Sequence, residues 1–212
     1  MAIRLNTTFR SSKDVSISHI QYGTKDDVGY SILYHFFTKA FPGAFNKETF
    51  LRVFDASDIS KVAYMSRYCC TIRIYCAVLA TSIFADNTRR LKILMLVEDD
   101  NIYAYNLGKK LINDVIRTCR ENENFEQIEA FVESSNNSGI NFYKTIGFNQ
   151  VHHVPDYFPR RASLTPEAVK LVYPLKNSAT IEPASTSDLL NTFHEVRLKN
   201  IQFFTPGFFL QI

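Results

Sequence analysis

Along the chain, apolar positions switch between a spacing of two and a spacing of three to four, the periods of a half-buried strand and of an amphipathic helix. Residues 15–22 alternate apolar and polar in the manner of a strand, the first predicted in the chain. Between 26 and 40, Val28, Ile32, Leu33, Phe36 and Phe37 recur at helical spacing, and Asp26 or Asp27 suits the N-terminal end of that helix. Phe41, Pro42 and Gly43 end it, and a second helix over 47–54 offers Phe50, Val53 and Phe54 on one side. His35, inside the first helix, is read as a surface or hydrogen-bonded histidine.

Two strands follow, over 61–65 and 70–84, the second too long and apolar to be exposed on both faces. Asp86, Asn87 and Thr88 supply a turn into a central strand over 91–97, which runs into the acidic stretch 98–101. The strongest helical pattern covers 106–120, where Leu107, Leu111, Ile112, Val115, Ile116 and Cys119 form a wide apolar stripe. A strand over 127–133 leads to a helix that Asn136 or Asn137 can cap and Gly147 can stop in the left-handed conformation. Strands over 149–154 and 168–175 complete the order, joined by a loop containing Pro and Arg. Strand, helix, helix, three strands, helix, strand, helix and two strands predict an α/β sandwich around a mixed sheet.

Composition narrows the function. At 46% hydrophobic content the 212-residue chain can bury a sizeable core. A net charge of +3 from 24 basic and 21 acidic residues gives no argument for nucleic acid. No apolar run approaches the roughly 20 residues that span a bilayer, and the first residues lack the apolar core of a signal peptide. The expectation is a soluble, cytoplasmic protein without membrane attachment. Cys69, Cys70, Cys76 and Cys119 form no paired metal spacing and are read as buried free thiols. No metal is expected. Residues 1–14 are expected to be a flexible N-terminus, 15–176 the folded domain, and 177–212 a linker followed by an apolar C-terminal extension that docks back or meets a partner.

The run Asn136-x-x-x-Ile140-x-Phe142-Tyr143-x-x-x-Gly147-Phe148 resembles the closing motif of the GNAT superfamily of N-acetyltransferases. The element order also matches. The resemblance implies the GNAT fold, a central, mostly antiparallel mixed sheet of about seven strands flanked by about four helices. It implies acetyl-CoA as co-substrate, with Asn136 on the pantetheine arm and Tyr143 protonating the departing thiolate; Tyr143 is equally a packing residue. Over about 41–158 the chain is similar to the N-terminal protein acetyltransferase subunit of the NatE type, which associates with the NatA complex. Phe41, Pro42, Gly43, Phe45 and Asn46 resemble that family's peptide-pocket segment, and Asp156, Tyr157 and Phe158 its segment that holds the peptide backbone. Phe41, Pro42, Gly43, Phe45, Tyr157 and Phe158 are thereby implied to line a site for a protein amino terminus. Leu94, Met95 and Leu96 are implied to offer backbone hydrogen bonds to pantetheine.

Two departures concern the chemistry. The family binds the CoA diphosphate on an arginine- and glycine-rich loop at a helix N-terminus, where free amides and the dipole favour anions. Here the matching residues are Tyr103, Ala104, Tyr105, Asn106, Leu107 and Gly108, of which only Gly108 keeps the pattern. Asn106 can supply the left-handed turn. Glu98, Asp99 and Asp100 are expected to weaken a polyanion there, whereas Lys109 and Lys110 either compensate or are solvated. The family's base positions hold Lys92 and Phe131, both implied to line the substrate site. Phe131 carries no titratable proton, and Lys92 needs a strongly depressed pKa to act as a base. Glu129 and Glu133 share the face of Phe131, so either is a candidate base acting through water; the alternative is an ion pair between Lys92 and a glutamate, or plain solvation.

The family resemblance implies an N-alpha-acetyltransferase acting on protein amino termini, with NatA-type auxiliary and catalytic subunits and the ribosome as partners. The lost arginines and base residues favour a second expectation, a catalytically inactive subunit that keeps the fold and serves as a structural component.

Overall fold

The computed structural model describes residues 20–43, 46–67, 71–85, 87–99, 106–122, 124–158 and 166–176. Seven strands form one sheet: β1 (Gln21–Gly23), β2 (Ile59–Arg67), β3 (Thr71–Ala85), β4 (Thr88–Glu98), β5 (Phe125–Glu133), β6 (Asn149–Val154) and β7 (Ala168–Pro174). Their order is β1-β2-β3-β4-β5-β7-β6, and every neighbouring pair is antiparallel except β4 and β5. The architecture is the mixed, mostly antiparallel sheet expected. Most of residues 15–22, the beginning of the predicted first strand, lie outside the described residues, as do 1–14, Phe45, Cys69, Cys70, Asp100, Tyr103, Ala104, Tyr105 and 177–212.

The single helix predicted over 26–40 is two: α1 (Lys25–Val28) and α2 (Tyr30–Ala40), separated by Gly29 at φ +81°. That backbone state is open to glycine and interrupts the helical ladder. Thr24 caps α1 through a capping box with Asp27. The helix α3 (Lys47–Ala56) begins at Asn46, whose side-chain oxygen accepts the Thr49 amide at 2.8 Å. Helices α1 to α3 close one face of the sheet, where Leu33, Phe37, Phe41, Phe50 and Val53 pack against Val62, Ala77, Leu79, Leu94 and Met95.

The opposite face carries α4 (Leu107–Glu121) and α5 (Asn137–Ile146). The α4 stripe read from the sequence is buried in full and meets Ala63, Val78, Ala80, Leu91, Ile93 and Ile128. Burying each such aliphatic side chain stabilises by about 1.5–3 kcal/mol, so this stripe anchors α4 without help from its polar face. Cys76 and Cys119 are free and buried, as expected, and burial pushes both thiols up. A bulge between Leu79 and Ala80 of β3 lies opposite Leu94. It turns Leu94 and Met95 toward the α2–α3 face while Ile93 and Leu96 keep to the α4 face.

Candidate active site

The site begins where the sheet splits. The parallel ladder between β4 and β5 ends at Lys92 opposite Glu129, although β4 continues to Glu98 and β5 to Glu133. Beyond that point β4 stays with β3, Glu98 facing Cys76, and β5 stays with β7, Glu133 facing Ala168. Each pair follows its own twist, so the two edges diverge and leave a fork. Leu94 and Met95 are buried in the core and Leu96 is half-buried, so these side chains pack while their backbone borders the fork.

One wall of the fork ends in the N-terminus of α4. Asn106, at the N-cap position, adopts the left-handed conformation, φ +50° and ψ +42°, without a capping hydrogen bond from its side chain. The anion-attracting amides beyond it are engaged within the chain. Leu107 N–H donates to Glu98 Oε1 at 2.8 Å and Gly108 N–H to Glu98 Oε2 at 3.1 Å. Sequence reasoning counted Glu98 as an unfavourable neighbouring charge; the fold makes it the direct ligand of the helix end. The available signal was a carboxylate at a strand end facing a helix start that lacks the loop arginines. Lys109 and Lys110 are exposed.

The other wall ends in α5. Asn136 accepts the Gly139 amide at 2.8 Å through Oδ1, so its side chain is first a helix cap. Tyr143 is buried, its ring edge-on to Phe142 and Phe148 with centroids 5.2 and 5.0 Å away. Burial, and secondly the Cys76 thiol, push the Tyr143 hydroxyl above the usual phenol range. It therefore keeps its proton at neutral pH. A phenol that weak can stabilise a thiolate by donating a hydrogen bond, but full transfer to a thiol of ordinary pKa near 8.5 runs uphill.

At the closed end of the fork, Lys92, Glu129 and Phe131 share a face with Lys170 of β7. Glu129 is 3% exposed and three donors converge on its Oε1: Gln127 Nε2 at 2.7 Å, Lys170 Nζ at 2.9 Å and Arg90 at 3.5 Å. Lys170 and Arg90 both pair with this glutamate, and Lys170 is a residue the sequence reading passed over. Its sign was the lone charge in the apolar run Ala168, Val169, Leu171, Val172. Lys92 holds Nζ over the rings of Phe131 and Tyr157, 4.7 and 5.2 Å from their centroids. Desolvation lowers Lys92 to about 8; the Glu129 charge opposes that shift and Lys170 adds to it. The shift runs in the direction a base role needs, although the ammonium form still predominates at neutral pH.

Phe131, Phe158 and Ala168 form a small cluster of their own, with Tyr157 and Val154 against it. The Tyr157 hydroxyl is buried and has no hydrogen-bond partner among the described residues. Phe41 belongs elsewhere, in the α2–α3 core, while Pro42 and Gly43 are exposed beyond it. Of the sequence-predicted peptide residues, the structure groups Lys92, Phe131, Tyr157 and Phe158. Phe41 serves the helical core.

This fold is that of the GNAT N-acetyltransferases. In sequence, the chain is 26% identical over 125 residues to N-alpha-acetyltransferase 50 of Danio rerio, a match covering 57% of this chain and 68% of that protein. It is 27% identical over 128 residues to the probable N-acetyltransferase san of Drosophila melanogaster, covering 58% and 64%. Among solved structures it is similar to Arabidopsis thaliana Naa50 in complex with a bisubstrate analogue, CoA-Ac-MVNAL. That likeness has a TM-score of 0.60 and 19% identity, and covers 73% of this chain and 98% of the other. No family model matches the chain.

Proposed function

We propose that this protein is an N-alpha-acetyltransferase of the NatE type, transferring acetyl from a thioester donor, acetyl-CoA, to the amino termini of proteins. The observation that carries this reading is Lys92, a lysine lowered to about 8 at the closed end of the fork, beside an aromatic stack whose hydroxyl has no partner among the described residues. A protein α-ammonium has a pKa of about 7.7–8.0, so proton transfer to Lys92 is close to balanced. The resulting neutral amine attacks the thioester carbonyl; the C–N bond forms and the C–S bond breaks. The second proton lost by the nitrogen ends on the thiolate, which Tyr143 steadies by hydrogen bonding.

Glu129 then acts as a positioning anion for Lys170, Arg90 and the field around Lys92. Its Oε1 is already engaged by Gln127, Lys170 and Arg90. Phe131, Tyr157 and Phe158 supply the surface for the first residues of the peptide, and the Tyr157 hydroxyl is a donor for a peptide carbonyl. Asn136 and the backbone of 94–96 border the pantetheine arm. The cytoplasm, the NatA-type subunits and the ribosome are the setting this reading assigns. Among the described residues, no helix is long and apolar enough to cross a membrane. The test is mass-spectrometric detection of acetylated Met-Leu and Met-Val peptides with wild type and Lys92→Met. Acetylation by wild type that falls about a hundredfold or more in the variant supports the reading; equal rates sink the base assignment, and no product from either sinks the activity.

A second reading is favoured by Glu98, whose carboxylate sits on the amides that would meet a diphosphate. In it the chain is an inactive structural subunit of a NatA-type, ribosome-associated complex. Co-purification with the auxiliary subunit by a protein that acetylates no peptide is its expected outcome; failure to form that complex removes it.

A further inference from the structure

We infer that Glu98 sets donor specificity by acting as an internal occupant of the diphosphate position, so that a donor is held through its acyl-pantetheine arm alone. The inference rests on the acyl-donor reading above. Both carboxylate oxygens are committed, Oε1 to Leu107 N–H and Oε2 to Gly108 N–H, at 2.8 and 3.1 Å. The backbone leaves Glu98 little choice of place, because it is the last residue of β4 and is registered opposite Cys76. The surroundings are equally tight. A Cβ built on Gly108 would stand 2.9 Å from Glu98 Oε2 and 3.4 Å from the Phe142 ring. Glu98 and Phe142 thus lie close against Gly108, and Leu107 and Gly108 are buried.

A diphosphate needs those same amides. It would have to displace the carboxylate or lie against it, and two anions at that distance repel strongly in a partly buried setting. Among the described residues, the two amides at this helix end are taken by Glu98 and do not fit the diphosphate of CoA, whereas the acyl-donor reading assigns the fork between β4 and β5 to the pantetheine arm. The nucleotide half adds nothing to binding while Glu98 keeps its place.

Calorimetric titration of the full chain tests this with three probes: acetyl-CoA, S-acetyl-pantetheine, which lacks the diphosphate, and inorganic pyrophosphate. Wild type is expected to bind the two thioesters with affinities within about threefold and to ignore pyrophosphate. Glu98→Ala should bind acetyl-CoA about tenfold tighter or more, bind S-acetyl-pantetheine as before, and gain pyrophosphate binding; tenfold is about 1.4 kcal/mol. Glu98→Gln, which keeps an acceptor and the side-chain volume, covers the case that the alanine variant misfolds, and should move in the same direction. A wild type that prefers acetyl-CoA by tenfold, or variants in which neither acetyl-CoA nor pyrophosphate binds better, overturns the inference. If no variant binds either thioester but Glu98→Ala or Glu98→Gln gains pyrophosphate, the internal occupant stands and the acyl-donor reading fails.

Discussion

The ring of Tyr157 lies on the ring of Phe131, centroids 4.5 Å apart and planes 4° from parallel. This stack ties the segment after β6 to β5, two strands away in the sheet. It also forms the apolar floor over which Lys92 holds its amine. The floor desolvates the lysine, and that desolvation is the largest cause of its low pKa.

The Tyr157 hydroxyl, buried and without a partner among the described residues, gives the first prediction. A buried polar group without a partner costs about 1–3 kcal/mol, so Tyr157→Phe should leave stability unchanged or raise it. If that hydroxyl serves the peptide, KM for the acceptor rises in the same variant while kcat holds. Urea denaturation and peptide kinetics measure the two effects; a less stable variant with unaltered KM contradicts both.

Lys92 gives a pH dependence of stability. Its folded-state pKa of about 8 lies below the ordinary 10.5, so between these values the unfolded chain binds more protons. Stability therefore rises as pH climbs through that window, and the cost of the buried charge is fully present below pH 8. Lys92→Met should melt higher than wild type at pH 7, with the advantage shrinking toward pH 10.5. A difference in Tm that does not change with pH contradicts the assignment.

Removing Glu129 separates structure from catalysis. Glu129→Gln leaves Lys170 and Arg90 without their common anion, and breaking such a buried pair costs about 3–5 kcal/mol in chemical denaturation. It also removes the charge that holds Lys92 up, so the midpoint of the pH–rate profile should move to lower pH. Lys170→Met removes the charge that pushes Lys92 down and should move the midpoint to higher pH. Midpoints that stay put in both variants exclude Lys92 as the titrating group.

Gly147 stops α5 at φ +109°, and a Cβ there would meet the Tyr173 ring at 3.3 Å. Gly147→Ala should destabilise by about 1–3 kcal/mol from backbone strain. Thermal melting reads this directly, and a neutral substitution would mean that the α5–β6 turn relaxes freely.

The sequence by itself determined what depends on near neighbours. The α4 stripe, the Asn136 cap, the left-handed Asn106, the stop at Gly147 and the order of elements are set by spacing and by the backbone preferences of single residues, so they could be read directly. The resemblance carried the fold. The single helix over 26–40 was misread because Gly29 breaks it with a conformation that the apolar pattern does not encode. Only the tertiary structure decided that β7 lies between β5 and β6, which brings Lys170 to Glu129 and leaves Lys92 over an aromatic floor. Only it ended the β4–β5 ladder at Lys92 and set the Glu98 carboxylate on the α4 amides. Those relations join residues far apart in the chain through sheet register and helix placement, and a one-residue change of register would turn each side chain to the other face.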